Sequence, residues 1–319
     1  MHKAEHESRN SSMKRREFIK TLGVAGVAST IAVGATKLTG ASSNPGAPLS
    51  SDSNNLKAPF SLAFDPSGNL FVSDPPAYRI VRLDSGLTPS DSFGKPGAHI
   101  GRLNFPKGIA CDETGLLYVV DSNNGRIQVF EAGGQVKRSV GSIGSIGGSF
   151  STPQGIYVDE KKRMLVADTR NHRIQVYLNF ELLSVIGDLG DSNDQFRLPT
   201  ACSYTPDDEI AVLDSKHGIV KFFGPDTVFK RSFGSEGSAP GQLNLPQGMY
   251  VTKDGAVWIA DTGNHRLQNF SLDGKLLNVI GKEGSGEAEF RRPTGVVVRD
   301  GFLYIADSGN SRVSRIKVP

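Results

Sequence analysis

A proline recurs along this chain at Pro59, Pro106, Pro153, Pro199, Pro246 and Pro293, every 46 or 47 residues. An aspartate keeps the same step at Asp74, Asp121, Asp168, Asp214, Asp261 and Asp307. Two ladders that hold register through six units mark a single supersecondary motif repeated until neighbouring copies cover one another's apolar faces. That regularity removes the alternative of two unrelated domains, which 319 residues would otherwise accommodate.

The unit that starts at Pro246 shows what is repeated. Apolar runs at 248–251, 257–261, 266–270 and 276–280 are separated by a Lys253-Asp254-Gly255 turn, a Thr-Gly-Asn turn and Asp273-Gly274. Each run is four or five residues long, rich in β-branched and aromatic side chains and bounded by turn residues, which predicts antiparallel hairpins and leaves no room for a helix. Four short strands repeated six times predict an all-β, six-bladed β-propeller of four-stranded antiparallel blades over residues 59–319. An open solenoid would end in divergent caps, whereas these units keep their pattern to the C-terminus. The last unit stops after its third strand, so the N-terminal segment must supply the fourth. Residues 42–56 are poor in apolar side chains, and a weak or absent outer strand is expected there.

The sequences Asp168-Thr-Arg-Asn-His172-Arg173 and Asp261-Thr-Gly-Asn-His265-Arg266, each following an apolar strand and preceded by Pro-Gln-Gly, resemble NHL repeats. The resemblance covers roughly residues 59–318 and implies the propeller fold. It implies much less about activity, because the family holds scaffolds, RNA binders, sensor domains and a few lyases. The amidating lyases among them imply a metal held by histidines near the channel. Here the innermost segments, such as Gly108-Ile-Ala-Cys111 and Gly248-Met-Tyr-Val251, contain no His, Asp, Glu or Lys, so the channel wall reads as packed and neutral.

Residues that recur in nearly every unit are read as structural. Asp74, Asp121, Asp168, Asp214, Asp261 and Asp307 each close a second strand, and Arg79, Arg126, Arg173, Arg266 and Arg312 follow five positions later. The two flank a short turn, so a pair across its base is expected, with the carboxylate also capping turn amides. His172, His217 and His265 lie in equivalent turns of successive blades, about 10 Å or more from the channel axis given strand spacing of about 4.8 Å. Zinc needs ligands at about 2 Å, so these three cannot share one metal, and each is assigned to its own turn. Cys111 and Cys202 sit in non-adjacent blades and are expected as free thiols. Trp258 reads as core. The fourth unit departs from the pattern, with Asp214-Ser-Lys-His217-Gly-Ile219 and no arginine, and the first carries Asp74-Pro-Pro-Ala-Tyr78.

The N-terminus is read as an address. Lys14-Arg15-Arg16-Glu17-Phe18-Ile19-Lys20 followed by a weakly apolar run to Ala35 resembles a twin-arginine export signal, with Arg15 and Arg16 as its pair. The run is too short and too rich in Gly, Ala and Ser to span a bilayer of about 30 Å. Residues 1–41 are therefore expected as a cleaved signal segment and 42–58 as a flexible linker. Periplasmic or secreted localisation follows, with no transmembrane helix in the mature protein. The chain has 36 basic and 33 acidic residues, and residues 1–35 hold six of the former and three of the latter, so the remainder is neutral. A neutral ring lacks the footprint of a nucleic-acid binder.

In an up-and-down blade, the loops entering the first strand and those joining the second to the third emerge on one face. That face collects the long Gly-rich loops and the residues flanking each recurring proline, the default place for binding. Lys107, Gln154, Arg170, Gln247, Arg291 and Arg292 are the expected contacts. No nucleophile and base pair is found, so no catalytic residue and no metal ligand is assigned. The acidic loop from Asp188 through Asp191 to Asp194 lacks EF-hand spacing and suits at most loosely bound calcium; otherwise no cofactor is expected. The reading is a monomeric, non-catalytic exported propeller that binds a protein, peptide or glycan partner through its loop-rich face. The alternative is a metal-assisted lyase or lactone hydrolase with its site in the channel.

Overall fold

In a computed structural model, residues 49–50 and 56–319 are described; the twin-arginine pair and most of the expected linker lie outside them. Six four-stranded sheets, all antiparallel, make six blades. The second blade, for example, comprises Pro106–Cys111, Leu117–Asp121, Arg126–Phe130 and Val136–Val140. The sixth is completed by Leu49–Ser50, which pairs with Arg312–Lys317 in the register Leu49↔Arg315. The outer strand is two residues long, the weak closure expected of so polar a segment.

The second and third strands of each blade are buried on both sides because every sheet is sandwiched between two others. Alternate residues therefore serve different interfaces. Leu117 and Val119 pack with the first blade, in a cluster with Phe71 and Ile80. Tyr118 and Val120 pack with the third, beside Val166 and Tyr177. Six such clusters fill the six interfaces between blades. A strand apolar at every position, rather than at every second one, is the signature of this double burial.

Gly108, Gly155, Gly248 and Gly295, each two residues after a recurring proline, answer to packing at the hub. A Cβ on Gly108 would sit 2.2 Å from the carbonyl oxygen of Gln154, and one on Gly155 2.5 Å from that of Thr200. Innermost strands of adjacent blades touch at this point, and the Gly108 amide donates to the Gln154 carbonyl at 2.8 Å. The ring closes the same way, with a Cβ on Gly295 falling 2.6 Å from the Phe60 carbonyl oxygen, and the Thr294 hydroxyl adds a bond to the Pro59 carbonyl at 3.0 Å.

The connections between blades are tied down by side chains. Leu103, Phe150, Phe196, Leu243 and Phe290, each three residues before its proline, are fully buried plugs. Leu56 stands in the same place before Pro59 and is also buried. Ordered packing thus begins before the proline ladder does.

Candidate functional site

The loop-rich face is built on six buried aspartates. Asp121 Oδ2 receives Arg126 Nε at 2.7 Å, Asn124 Nδ2 at 2.9 Å and Gln128 Nε2 at 3.0 Å, while Oδ1 accepts the Asn104 amide at 2.6 Å. Arg126 also donates to the carbonyls of His99 and Arg102 in the incoming loop. The same pairing joins Asp168 to Arg173, Asp261 to Arg266 and Asp307 to Arg312 at 2.8 Å, and Asp74 to Arg79 at 3.2 Å. The carboxylates do not cap the amides of their own 3-10 turns, contrary to the sequence reading. They reach back 16 or 17 residues to the loop before the blade instead, because that loop's amides face the sheet edge and have no strand partner.

The fourth blade solves the same problem with other chemistry. His217 occupies the asparagine position, one place before His172 and His265 in the repeat frame. Its Nδ1 meets Asp214 at 2.5 Å and its Nε2 meets Asp191 at 2.8 Å. Asp191 is further held by Arg197 at 2.5 and 2.8 Å, and these partners keep its carboxyl well below the usual range. His172 bonds the Arg197 carbonyl and His265 accepts the Arg292 amide at 3.1 Å. No group of three or more His, Cys, Asp or Glu side chains is placed to hold a metal among the described residues. The donor set therefore does not fit the metal that the lyase resemblance implies. Cys111 and Cys202 are free thiols, and burial pushes that of Cys111 up to about 12.

Two cavities open from the hub. One, of about 620 Å³, runs along the channel, with Phe60, Thr200 and Gln247 toward the loop-rich end and Asp65, Lys253 and Arg299 toward the other. The channel wall is therefore neither closed nor free of charge. The innermost strand of the sixth blade runs Pro293–Arg299, one residue beyond the segment that reads as neutral. Arg299 lies 4.8 Å over the Phe64 ring and donates to the Asp65 carbonyl at 3.0 Å. Tyr157 and Tyr250 line the same cavity, and burial pushes the Tyr157 hydroxyl up to about 12.

The second cavity, of about 350 Å³, is a recess on the loop-rich face between the second and third blades. It brings together three of the expected contacts, Lys107, Gln154 and Arg170, with Phe105, Ser122 and Leu198. Lys107 Nζ lies 5.3 Å from the Phe60 ring and 6.0 Å from that of Phe105. Burial, and secondarily the positive charge of Arg170, lower its pKa to about 8. Gln154 lines both cavities, so the recess and the channel share a wall. Gln247 lines only the channel, where its Nε2 donates to the Leu245 carbonyl at 3.3 Å. Arg291 and Arg292 are exposed on the sixth blade and line neither cavity. Sequence reasoning missed Ser122 and Phe105, although Phe105 immediately precedes a recurring proline.

The NHL repeat family matches residues 103–130, 150–177, 243–270 and 290–316. These are the second, third, fifth and sixth blades, and the two unmatched blades are those whose turns depart from the pattern. No curated protein matches the chain. Among solved structures, the chain is similar to virginiamycin B lyase from Staphylococcus aureus, with a TM-score of 0.60 and 10% identity over 86% of this chain and 99% of that one. It is similar to a gluconolactonase from Xanthomonas campestris, with a TM-score of 0.64 and 16% identity over 83% and 87%. An auxiliary nutrient binding protein from Bacteroides thetaiotaomicron gives 0.61 and 12% over 82% and 69%. At these identities the likeness is one of fold. Enzymes and a binder share the ring.

Proposed function

We propose that this six-bladed propeller of NHL repeats is an exported, non-catalytic recognition module that holds a protein, peptide or glycan partner at the mouth of its channel, on the loop-rich face. The observation that carries this reading is the convergence of Lys107, Gln154 and Arg170, drawn from successive blades, on one recess of about 350 Å³. Its volume is within the usual range of ligand sites, and it rests on a scaffold whose loops are pinned by buried ion pairs and plugs, which lowers the entropy cost of binding. The opposite arrangement, a site formed by a mobile loop, would lack that support.

The test is site-specific crosslinking. A photoreactive side chain introduced at Arg170 is expected to capture a defined partner in cells, and one at Glu160, on the other face, is not. Equal capture from both faces, or none from position 170, would sink the reading. Export is tested separately, by fractionating cells that carry the chain with Arg15 and Arg16 intact or replaced by lysine.

The channel supports a second reading, a lyase or lactone hydrolase. Its cavity of about 620 Å³, with Tyr157, Tyr250 and Arg299 along the wall, is large enough for a small substrate. Turnover of a lactone by the purified chain, abolished by Tyr250→Phe or Arg299→Met, would favour it over recognition alone.

A further inference from the structure

Two residues on the wall of the recess between the second and third blades each carry a buried polar atom that satisfies no hydrogen bond. Ser122 is 1% exposed, and its Oγ has no partner; neither does Gln154 Oε1. The equivalents of Ser122 show what is missing. Thr169 Oγ1 donates to the Pro199 carbonyl of the next blade at 2.8 Å, and Thr262 Oγ1 to that of Pro293 at 2.7 Å. Ser122 makes no such bond to Pro153 and instead lines the recess. A buried hydroxyl or amide oxygen is costly to leave without a hydrogen bond, so two such groups on the wall of one small cavity mark a place where a ligand completes the set.

The charges specify what kind. Neither the Lys107 ammonium nor the Arg170 guanidinium, which both line the recess, has a carboxylate partner among the described residues. The positions flanking the recurring prolines and the middle of each turn, taken around the whole mouth, hold Lys107, Arg170, Lys216 and Arg292 and no acidic residue. The inner hairpin turns on the opposite face are acidic on balance, with Asp65, Asp112, Glu113 and Asp159 among them. The mouth therefore attracts anions from a distance and holds them where two cations and a hydroxyl donor meet.

Gln154 Oε1 is an acceptor and asks for an N–H beside that anion. Phe105 and Leu198 complete the wall with apolar surface, which suits a hydrocarbon side chain more than the hydroxyls of a sugar acid. We infer that the recess binds the free C-terminal carboxylate of a peptide chain. Lys107, Arg170 and Ser122 hold the carboxylate, Gln154 accepts the terminal residue's amide N–H, and Phe105 and Leu198 cover its side chain. The inference rests on the recognition reading above and names the end of the partner that is recognised.

The experiment is calorimetric titration of the purified full chain with N-acetyl-alanyl-leucine and, in parallel, with its C-terminal amide. The acid is expected to bind about tenfold or more tightly than the amide, since the charge-assisted bonds are lost in the latter. Lys107→Met and Arg170→Gln are each expected to weaken the acid about tenfold and to leave the amide unchanged, and Ser122→Ala to weaken the acid several-fold. Lys253→Met, at the other end of the channel, is expected to change nothing, and circular dichroism melts confirm that each variant is folded. Equal binding of acid and amide overturns the inference, as does failure of the acid to bind. Tighter binding of glucuronate than of the peptide acid, or full competition by equimolar inorganic phosphate, overturns it too. Crosslinking at position 170 that persists in excess peptide acid removes this inference and leaves the recognition reading standing.

Discussion

Lys221 Nζ lies 4.0 Å from Asp214 Oδ2, both side chains almost wholly buried, where every other blade pairs this aspartate with an arginine five residues on. Lysine stands at the position of Gln128, Gln175 and Gln268 and restores from a different strand position the positive charge that Ile219 removed. It also donates to the carbonyls of Ser192 and Gln195, as the arginines do to their own loops. The blade conserves the electrostatics of the motif while losing its letters.

Lys221→Met therefore leaves a buried carboxylate with His217 and two loop amides as its remaining partners. It is expected to cost about 3–5 kcal/mol of unfolding free energy, the usual consequence of removing one member of a buried pair. The triple change His217→Asn, Ile219→Arg and Lys221→Gln rebuilds the motif and is expected to recover most of that loss. Urea denaturation followed by circular dichroism compares the three; a stability for Lys221→Met equal to wild type would show that the pair is dispensable.

Gly155→Ala places a Cβ 2.5 Å from the Thr200 carbonyl oxygen and 2.8 Å from Ala201 Cα. Two innermost strands must separate to admit it, and a destabilisation of about 1–3 kcal/mol is expected. Gly133→Ala, where an added Cβ meets nothing within 4 Å, is the neutral control. Similar melting temperatures for the two would contradict the close packing of the hub.

Leu56→Ala removes the plug that precedes the first blade. Its side chain packs with Leu62, Val81 and Leu87, and truncation is expected to cost about 2–5 kcal/mol. Amide exchange at Lys57 and Ala58, whose N–H groups donate to Asp74, is expected to accelerate with it. Unchanged exchange would place Leu56 outside the cooperative unit.

Lys107 carries the pH dependence of the recess. Its folded pKa of about 8 is below the unfolded value of about 10.4. Between these values the unfolded chain binds the extra proton, so this group makes stability rise with pH across that window. Anion affinity moves the other way, full below about pH 8 and lost above it as the ammonium deprotonates. Lys107→Met is expected to raise the melting temperature at pH 7, because a cation no longer has to be buried and, secondarily, held beside Arg170, and to flatten both profiles. A wild-type affinity for the peptide acid that stays constant from pH 7 to pH 10 would exclude Lys107 from the contact.

The two landmark ladders and the glycine-bounded apolar runs made the blade number, the strand count and the placement of Trp258 legible from residues alone. Each depends on local turn chemistry and on the burial of both faces of a sheet, which leave periodic marks in the chain. The aspartate and arginine pairing was legible for the same reason, since its partners lie five residues apart. The long reach of Asp121 to the Asn104 amide was not, because nothing local distinguishes an amide that faces a sheet edge from one that faces water. The burial of Leu56 was legible in principle, as the sixth member of the Leu or Phe ladder three residues before each proline.

The chain by itself determined a ring of six like units with a polar, variable face, and it named Lys107, Gln154 and Arg170 among six expected contacts on that face. Only the tertiary structure decided that these three share a recess while Gln247, Arg291 and Arg292 do not. Lys107 and Gln154 are 47 residues apart, one full period, and meet because curvature brings successive blades to one hub. The Thr169 hydroxyl finds the Pro199 carbonyl of the next blade while that of the equivalent Ser122 finds no partner, a difference set by contacts between blades that a repeat pattern does not record.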